Sequence, residues 1–396
     1  MKFRFKGLAA VFAPAALVCL TGIAPAGPAA AQTQPSTQRQ VESQAKAATA
    51  KGVTAGTFFK NVTTPSLKNL TPSDFLGAMG VMTAALGYDC SNCHPGAGTD
   101  AFDWVTDSNP KKRAARMMTE MLTNINKQNF GSVQQVTCWT CHRGQDAPAQ
   151  SIALDKLYSA PNDERRDVID VGEAEPPATQ ILDEYITAMG GAQKWAGIKS
   201  YTVTGHSEGY GGLGGEAAFH IYAEGPDHRG MWINFPQHPD RGISAWTYNG
   251  KTGWISAPRG FLGVYELTGN DLNGAKLDSV LGFPGQIKTA FAAWRVGVED
   301  TLHDRDVYVV QGSSPNGLLG TFYFDKKTHL LMRYIRQTPS PAGRISIQQD
   351  FEDYRDVNGA RFPYKYSFLW LDGRFTAAIT NIELNVPIDA AKLGKP

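Results

Sequence analysis

Two short motifs of the form Cys-x-x-Cys-His hold all but one of the five cysteines in this sequence. Two cysteines at this spacing can bond to the two vinyl groups of one haem, and the adjacent histidine can bind its iron. The motifs therefore predict two covalently bound c-type haems. The attaching cysteines are Cys90, Cys93, Cys138 and Cys141. The predicted iron ligands are His94 and His142.

Two other chemistries also use closely spaced cysteines. A thioredoxin-like redox pair needs one Cys-x-x-Cys near a βαβ pattern, which explains neither the adjoining histidines nor the repeat. A structural zinc site takes four ligands and has no use for methionine-rich helices just upstream of each motif. Covalent haem attachment explains all three features, so it is the favoured interpretation.

The sixth ligand of each iron is predicted to be a methionine. Apart from His94 and His142, no histidine precedes residue 206. Five methionines lie just upstream of the motifs: Met79, Met82, Met117, Met118 and Met121. Some of the five are expected to pack against the haem rather than bind iron, since methionine is a common core residue. Histidine–methionine ligation raises the reduction potential of a haem, so we expect a relatively high-potential electron carrier.

Two predicted helices position these methionines. The first begins with Thr71 as its cap and Pro72 in its first turn, carries apolar residues at helical spacing, and ends at Gly87. The second covers residues 111–126 and is amphipathic. A loop at 127–137 then leads to the second motif, so the order of helix, connection and motif occurs twice.

Basic residues near the motifs are candidates to neutralise the haem propionates. Arg143 directly follows His142, and we interpret it as a propionate or local structural contact. Arg116 and residues 111–113 are further candidates, although a solvated basic helix face explains the lysines equally well. Trp139, inside the second motif, is expected to pack on the haem.

The N-terminal segment has the pattern of a secretory signal. Lys2, Arg4 and Lys6 precede an apolar run and a stretch of small residues that ends at Ala31. This pattern predicts cleavage after about Ala31 and a periplasmic location. Lipid anchoring at Cys19 is not expected, because the branched Val18 suits such a processing site badly.

Composition divides the rest of the chain into four regions. Residues 32–56 form a predicted flexible leader, and 57–147 a mainly α dihaem cytochrome c domain. The polar, proline-bearing stretch 148–177 is a predicted linker. Residues 178–396 alternate in the manner of strands, with Asn-Gly turn signals at 249–250 and 358–359 and a helical interruption between Leu272 and Trp294. The fold class is therefore multidomain, with an α domain before an antiparallel β-rich one.

The helix and motif runs resemble the tetrahaem cytochrome subunit of photosynthetic reaction centres. The resemblance is carried by "FLGAMGVMTAALGYDCSNCH", "KKRAARMMTEMLTNIN" and "VTCWTCHRG" and covers about residues 60–150. It implies Met79 as the ligand of the first haem and Met118 as that of the second. Met82 and Met121 stay open as alternatives. That family has four haems and one site with two histidine ligands, so this chain resembles one half of it.

Residues 178–396 more loosely resemble exported domains related to outer-membrane lipoprotein carriers. "ILDEYITAMGG", "YNGKTGW" and "DFEDYRDVNGARFPYKY" carry this likeness. It implies a strongly curved, half-barrel-like antiparallel sheet wrapped round helices, with an apolar concavity able to hold an acyl chain. The six histidines after residue 205 have no metal-ligand spacing, and no catalytic motif is found in this region.

These observations predict an electron-transfer protein rather than an enzyme, with redox proteins as partners in a respiratory or photosynthetic membrane complex. A formal net charge of +1, which becomes slightly negative without the signal, argues against nucleic acid as partner. One alternative is a peroxidase-like dihaem enzyme with one open iron. Another is a carrier of hydrophobic, lipid-like ligands in which the cytochrome domain senses redox state.

Overall fold

The computed structural model describes residues 52–97, 103–148, 150, 167–173, 175–210, 214–258 and 262–396. The predicted signal peptide, the leader up to residue 51 and Cys19 lie outside the described residues. Residues 149, 151–166 and 174 of the predicted linker also lie outside them. Within these ranges, no helix is both long enough and apolar enough to cross a membrane.

Short helices and two longer ones make up the N-terminal part. They are α1 (Ala55–Phe58), α2 (Pro65–Lys68), α3 (Pro72–Leu86), α4 (Pro110–Asn129) and α5 (Cys138–His142), with a 3₁₀ turn at Cys90–Asn92. Helix α3 begins where its capping pattern predicts, since the Thr71 side chain accepts a hydrogen bond from the Asp74 amide. It ends at Gly87, whose φ of 65° is left-handed. Helix α4 extends three residues beyond the predicted end at residue 126.

The C-terminal part contains the strands and three further helices. The helices are α6 (Ala178–Ala188), α7 (Ala192–Gly197) and α8 (Gly269–Leu281), and 3₁₀ turns lie at Pro239–Arg241, Pro284–Thr289 and Ala390–Lys392. The first strands are β1 (Ser200–Glu208), β2 (Ala217–Glu224), β3 (His228–Asn234), β4 (Ile243–Asn249), β5 (Gly253–Ala257), β6 (Gly263–Glu266) and β7 (Ala293–Val296). The others are β8 (Asp300–Leu302), β9 (Arg305–Ser313), β10 (Leu319–Asp325), β11 (Leu331–Ser340), β12 (Gly343–Val357), β13 (Ala360–Trp370) and β14 (Gly373–Leu384).

All these strands belong to one open antiparallel sheet. Its order is β6-β5-β4-β3-β2-β1-β14-β13-β12-β11-β10-β9-β7, and β8 pairs with β9. Strands β1 to β6 form one meander and β9 to β14 another, and the pairing of β1 with β14 joins them, for example Val203 with Ile382. Strand β7 pairs with β9 at the edge opposite β6. The prediction of a large antiparallel β-rich C-terminal region is thus confirmed.

The two Asn-Gly signals both form tight hairpins. Asn249 ends β4, and Gly250 follows it with a φ of 81°. Asn358 and Gly359 connect β12 to β13, with φ values of 53° and 86°. Two successive left-handed residues are what a type I′ hairpin turn needs, so the turn chemistry fixes this register.

The main core forms where the sheet surrounds helices α6 and α7. Ile233 of β3 and Phe322 of β10, which are far apart in the strand order, are both fully buried in the same apolar cluster as Tyr185 of α6. The Tyr185 and Phe324 rings lie 5.1 Å apart, and those of Trp195 and Phe362 5.0 Å apart. Aromatic side chains of β10 and β13 therefore pack on these two helices.

Helix α3 packs directly on the C-terminal sheet. Its buried Ala78 and Val81 form a small cluster with Ala342, from the turn between β11 and β12. A Cβ at Gly77 would lie 2.5 Å from the Cδ1 atom of Ile345, so glycine permits this close approach. The helix that carries Met79 is therefore also a packing element of the sheet.

Candidate functional site

The first motif lies in a tight turn. Cys90–Asn92 form one 3₁₀ turn that is closed by a capping box. The Asp89 side chain accepts a hydrogen bond from the backbone of the turn, and the Asn92 side chain accepts one from the Asp89 amide. The His94 amide donates to the Cys90 carbonyl at 2.9 Å. One turn of this kind brings the two cysteines and the histidine within a short segment. Cys90 is exposed, whereas Cys93 and His94 are half-buried.

The loop after this motif is held by the start of α4. Asn109 donates from Nδ2 to the Asn92 carbonyl at 2.8 Å, and Lys112 donates from Nζ to the Trp104 carbonyl at 2.6 Å. Burial lowers the pKa of His94, and the positive charge of Lys112 lowers it further. The imidazole is therefore neutral at pH 7, which is the form that can bind iron.

The second motif is one turn of α-helix with anchors far along the chain. The Cys138 amide donates to the Ala342 carbonyl at 3.0 Å. Beyond the motif, the Gly144 amide donates to the Ala85 carbonyl of α3 at 2.8 Å. Burial raises the pKa of the Cys138 thiol to about 11, so it is protonated at neutral pH. Both α3 and the β11–β12 turn thus hold this motif.

The imidazole of His142 is oriented as a metal ligand needs. Its Nδ1 atom lies 3.0 Å from the Gln145 carbonyl oxygen. When Nδ1–H donates this hydrogen bond, Nε2 keeps its lone pair for iron, and a carbonyl partner of this kind is the usual orienting contact of a metal-binding histidine. All four motif cysteines are free of disulfides, so their sulfur atoms are available for attachment.

Large apolar side chains of α4 and of the second motif face outward. Met117, Met118 and Met121 on α4 are 63%, 39% and 42% exposed, and Trp139 within the motif is 42% exposed. A group of exposed large apolar side chains usually marks a surface that another group covers. A porphyrin attached at Cys138 and Cys141 is a group of suitable apolar character, so these residues fit haem.

Residues 21–172 match the model of the photosynthetic reaction centre cytochrome C subunit family. The match includes both motifs and helices α1 to α5, and it confirms the resemblance found in the sequence. This cytochrome family implies c-type haem binding and an electron-transfer role. No curated protein sequence matches the chain.

Solved structures resemble the C-terminal part at low identity. A DUF1329 family protein from Desulfovibrio piger is 12% identical, with a TM-score of 0.40 over 56% of this chain and 98% of its own. A LolA superfamily protein from Nitrosomonas europaea is 11% identical, with a TM-score of 0.37 over 56% of this chain and 99% of its own. A lipoprotein-sorting domain from Vibrio parahaemolyticus is 10% identical, with a TM-score of 0.37 over 54% of this chain and 94% of its own. Scores at this level carry no argument about ligand or activity.

The methionines predicted as cytochrome ligands lie on two helices. Met79 is half-buried on α3, and Met82 packs against the cluster of Leu67, Ala78, Val81 and Ala342. Met118 and Met121 lie on one face of α4, three residues apart, while Thr119 and Leu122 of the same helix are buried. Met79 and Met82 are both half-buried, and all four candidates stay open.

The predicted basic residues have different environments. Arg143 is exposed in the left-handed conformation that ends α5, with its amide donating to the Trp139 carbonyl. Arg116 donates to both carboxylate oxygens of Asp107 at 2.8 Å. Lys111 lies 4.1 Å above the Tyr88 ring. In the described residues, no three His, Cys, Asp or Glu side chains form a cluster that could hold a bare metal ion.

A second candidate region lies between α3, α8 and the sheet, where sequence reasoning found no site. Asp74 of α3, which is buried, and Asp271 of α8, which is half-buried, lie there beside Ser73. The Ser73 hydroxyl donates to Asp271 and lies 3.1 Å from the Tyr265 hydroxyl. Burial raises the pKa of Asp74 to about 6, and the nearby Asp271 charge raises it too. Burial also raises the pKa of Asp271. Asp74 reads from sequence as an ordinary first-turn acid, so no local signal identified this cluster.

Proposed function

We propose that this protein is an exported dihaem c-type cytochrome that carries single electrons, with a C-terminal domain for docking or for binding a lipid-like molecule. The observation that carries the proposal is the second motif. There two free cysteines and an imidazole oriented by the Gln145 carbonyl lie within one turn of helix, which is the pattern that attaches and ligates a c-type haem. The family match over residues 21–172 supports it independently.

Each motif residue has a defined role in the proposal. The sulfur atoms attach the porphyrins: Cys90 and Cys93 hold one, and Cys138 and Cys141 hold the other. His94 and His142 bind iron through the nitrogen that is left as an acceptor. A bound haem supplies one-electron exchange between two iron oxidation states. The chain keeps the ligands in fixed positions, and no acid, base or nucleophile is needed.

Methionines complete the proposed ligand sets. Met79 is favoured over Met82 for the first haem, because Met82 packs in an apolar cluster. For the second haem we propose Met118, with Met121 as the alternative. Arg143, which follows His142, is proposed to pair with a propionate, because a carboxylate near apolar surface gains from a charged partner. Arg116 is a weaker candidate, since Asp107 already pairs with its guanidinium.

We also propose a periplasmic location and redox proteins as electron donor and acceptor, in a membrane-associated respiratory or photosynthetic complex. The N-terminal signal pattern supports the location. The nearly balanced charge of the sequence gives no basis for a nucleic-acid partner. The second candidate function is a carrier of hydrophobic ligands with a redox-sensing cytochrome part, and a cavity of ≈ 390 Å³ beside α3 favours it.

The test is expression in a host that attaches c-type haem, followed by intact mass and pyridine haemochrome quantitation. We expect a mass gain of two haems per chain. Met79→Leu and Met118→Leu should each remove the thioether-to-iron band of one haem, while Met82→Leu and Met121→Leu serve as matched controls on the same helices. A colourless product with the mass of bare polypeptide would refute the proposal. A high-spin haem that binds carbon monoxide in the unmodified protein would favour the peroxidase-like enzyme instead.

A further inference from the structure

A cavity of ≈ 390 Å³, partly open to solvent, lies between α3, α8 and the sheet. Small-molecule sites commonly have volumes of about 300–1,000 Å³, so this space is large enough for a small organic ligand. Its apolar walls come mainly from large side chains of the sheet and its turns: Trp246, Ile255, Leu262, Phe368, Trp370 and Leu371. Three of these six are aromatic, and flat rings pack well against other flat rings.

One polar group of this cavity is built around Arg336 on β11. Arg336 is 8% exposed, and its Nη2 atom lies 3.4 Å from the Asp278 Oδ2 atom of α8. A Cβ at Gly274 would lie 1.3 Å from Nη1, so the guanidinium lies directly against the α8 backbone. The Arg336 Nε and Asp278 Oδ1 atoms are buried and make no hydrogen bond to any residue in the described ranges. Buried polar atoms without a partner are costly, so they suggest a missing partner.

The other polar group is the carboxylate cluster at the start of α3 and α8. Asp74, Asp271 and the hydroxyls of Ser73 and Tyr265 line the same cavity. Burial disfavours the charged form of both carboxyl groups, and the Arg336 charge opposes this only in part at Asp271, whose pKa stays raised. Strongly perturbed acids in a cavity are more frequent at functional sites than elsewhere. The cavity therefore offers both strong hydrogen-bond donors and strong acceptors.

We propose that this cavity binds a lipid-soluble quinone or its quinol, with the ring among the aromatic walls and the ring oxygens at the Arg336–Asp278 and Asp74–Asp271 groups. A quinone oxygen accepts hydrogen bonds from arginine or tyrosine, and a quinol hydroxyl also donates to a carboxylate. A fatty acid has a single polar end, so it would contact one of the two polar groups and leave the other without a ligand partner. This assignment gives a ligand class to the hydrophobic site of the proposed function, so it rests on that part of the proposed function.

Helix α3 gives the cavity its connection to the cytochrome part. Ser73, Leu76, Gly77 and Gly80 line the cavity on one face of the helix. At 100° per residue, Met79 lies on another face, about 110° away from the mean direction of those four. The same helix therefore lines the cavity on one face and carries Met79 on another, so a redox-active ligand in the cavity would contact an element of the cytochrome part.

Binding is tested on the full-length, haem-loaded protein by isothermal titration calorimetry, which needs no turnover. The probes are a ubiquinone analogue with one isoprene unit, the corresponding naphthoquinone and decanoate. We expect saturable binding of at least one quinone with one site per chain, and at least tenfold weaker binding of decanoate. Comparable or tighter decanoate binding would overturn the quinone assignment, as would the absence of binding by either quinone.

Two variants and one control locate the site. Ala275→Leu on α8 fills the cavity with a side chain that suits a helix, so it should weaken quinone binding at least tenfold without lowering the melting temperature. Arg336→Gln should weaken it similarly by removing the charged donor. Arg333→Gln is the matched control, because Arg333 lies on the opposite face of the same strand and pairs with Asp350. Equal affinity in Ala275→Leu and the unmodified protein would overturn the site. Haem content and spectra of the same samples report separately on the proposed electron-carrier function.

Discussion

The two Cys-x-x-Cys-His motifs have the same sequence pattern but different support. The turn of the first motif is held by side-chain hydrogen bonds of Asp89, Asn92 and Asn109, which belong to the motif and to the start of the following helix. The second is anchored at long range, to the carbonyl of Ala85 on α3 and to that of Ala342 between two strands. The second motif should therefore respond to changes in the C-terminal domain, whereas the first should respond mainly to changes in its own loops.

This difference also assigns a second structural role to α3. The helix carries Met79, the proposed ligand of the first haem, and its last turn holds the second motif. Its opposite end contacts α8 through Asp74, which accepts hydrogen bonds from Asn270. The proposed ligand site of one haem, the anchor of the other and the wall of the cavity are thus parts of one helix.

The largest expected effect comes from breaking the contact between α3 and the second motif. A Cβ at Gly87 would lie 2.4 Å from the Gly144 carbonyl oxygen, and the residue has a φ of 65°. Gly87→Ala should lower the free energy of unfolding by about 3–4 kcal/mol. About 1 kcal/mol of this is the cost of a left-handed backbone at alanine, and the rest is the cost of moving the Gly144 backbone away from the new Cβ. Urea unfolding followed by circular dichroism measures this loss.

Gly131 provides the matched control for that substitution. It has a φ of 57°, and a Cβ there would have no neighbour within 4 Å. Gly131→Ala should therefore cost only the backbone term of about 1 kcal/mol. If the two variants lost equal stability, the close approach of Gly87 to Gly144 would make no contribution to the free energy of unfolding. The proposed long-range contact between α3 and the second motif would then be contradicted.

The next effect is the pH dependence of the contact between α3 and α8. The pKa of Asp74 is about 6 in the folded protein against 3.8 in a model peptide, because burial and Asp271 favour the protonated form. The stabilisation from this group is full below pH 3.8 and is lost as the pH rises through 6, by about 3 kcal/mol in total. The raised pKa of Asp271, also caused by burial, has the same sign.

Asp74→Asn should remove most of this dependence. Its stability relative to the unmodified protein should increase between pH 4 and pH 7.5, as measured by urea unfolding at several pH values. Asp183→Asn, at an exposed carboxylate that pairs with Lys288 on the far side of the molecule, is the control and should change the pH profile little. A profile for Asp74→Asn that runs parallel to the unmodified protein would contradict the buried position of this carboxyl.

Local features of the molecule could be predicted from sequence. The Thr71 cap, the Gly87 end of α3 and the Asn358-Gly359 hairpin each depend on a few adjacent residues with defined backbone preferences. The haem motifs are local in the same sense, since the spacing of two cysteines and a histidine contains the chemistry. For such features, nothing distant has to be known.

The cavity and the anchors could not be predicted in this way. Asp74 meets Asp271 only because α3 packs on the sheet, and the Cys138 amide meets Ala342 only because a strand turn reaches the motif. No periodicity or turn signal encodes which distant elements come together. The histidines of the C-terminal region have no metal-ligand spacing, and the arginine and carboxylates that line the cavity have no recognisable sequence spacing either.

A smaller effect is expected at the loop before the second motif. Asn126, buried at the end of α4, donates from Nδ2 to the Val136 carbonyl at 2.7 Å and accepts from the amides of Gln135 and Val136 at 2.9 Å. Asn126→Ala leaves these three backbone groups without partners and should cost about 2–3 kcal/mol. Asn129→Ala is the control, because Asn129 is exposed and bonds only within its own helix, and it should stay within about 0.5 kcal/mol of the unmodified protein. Thermal unfolding of both variants decides whether Asn126 supports the second motif.

The smallest effect is expected at the corresponding asparagine of the first motif. Asn61 donates from Nδ2 to the Val105 carbonyl at 2.6 Å and to Asp107 at 3.1 Å, and it has a φ of 72°. Asn61→Ala should cost about 1–2 kcal/mol, through one lost backbone hydrogen bond and the left-handed backbone. Asn61→Gly separates the two causes, because glycine keeps the left-handed backbone without strain and loses only the amide. Unfolding free energies should therefore rank Ala below Gly below Asn at this position. A loss at Asn61 larger than that at Asn126 would contradict this ranking, because Asn126 satisfies three backbone groups and Asn61 only one.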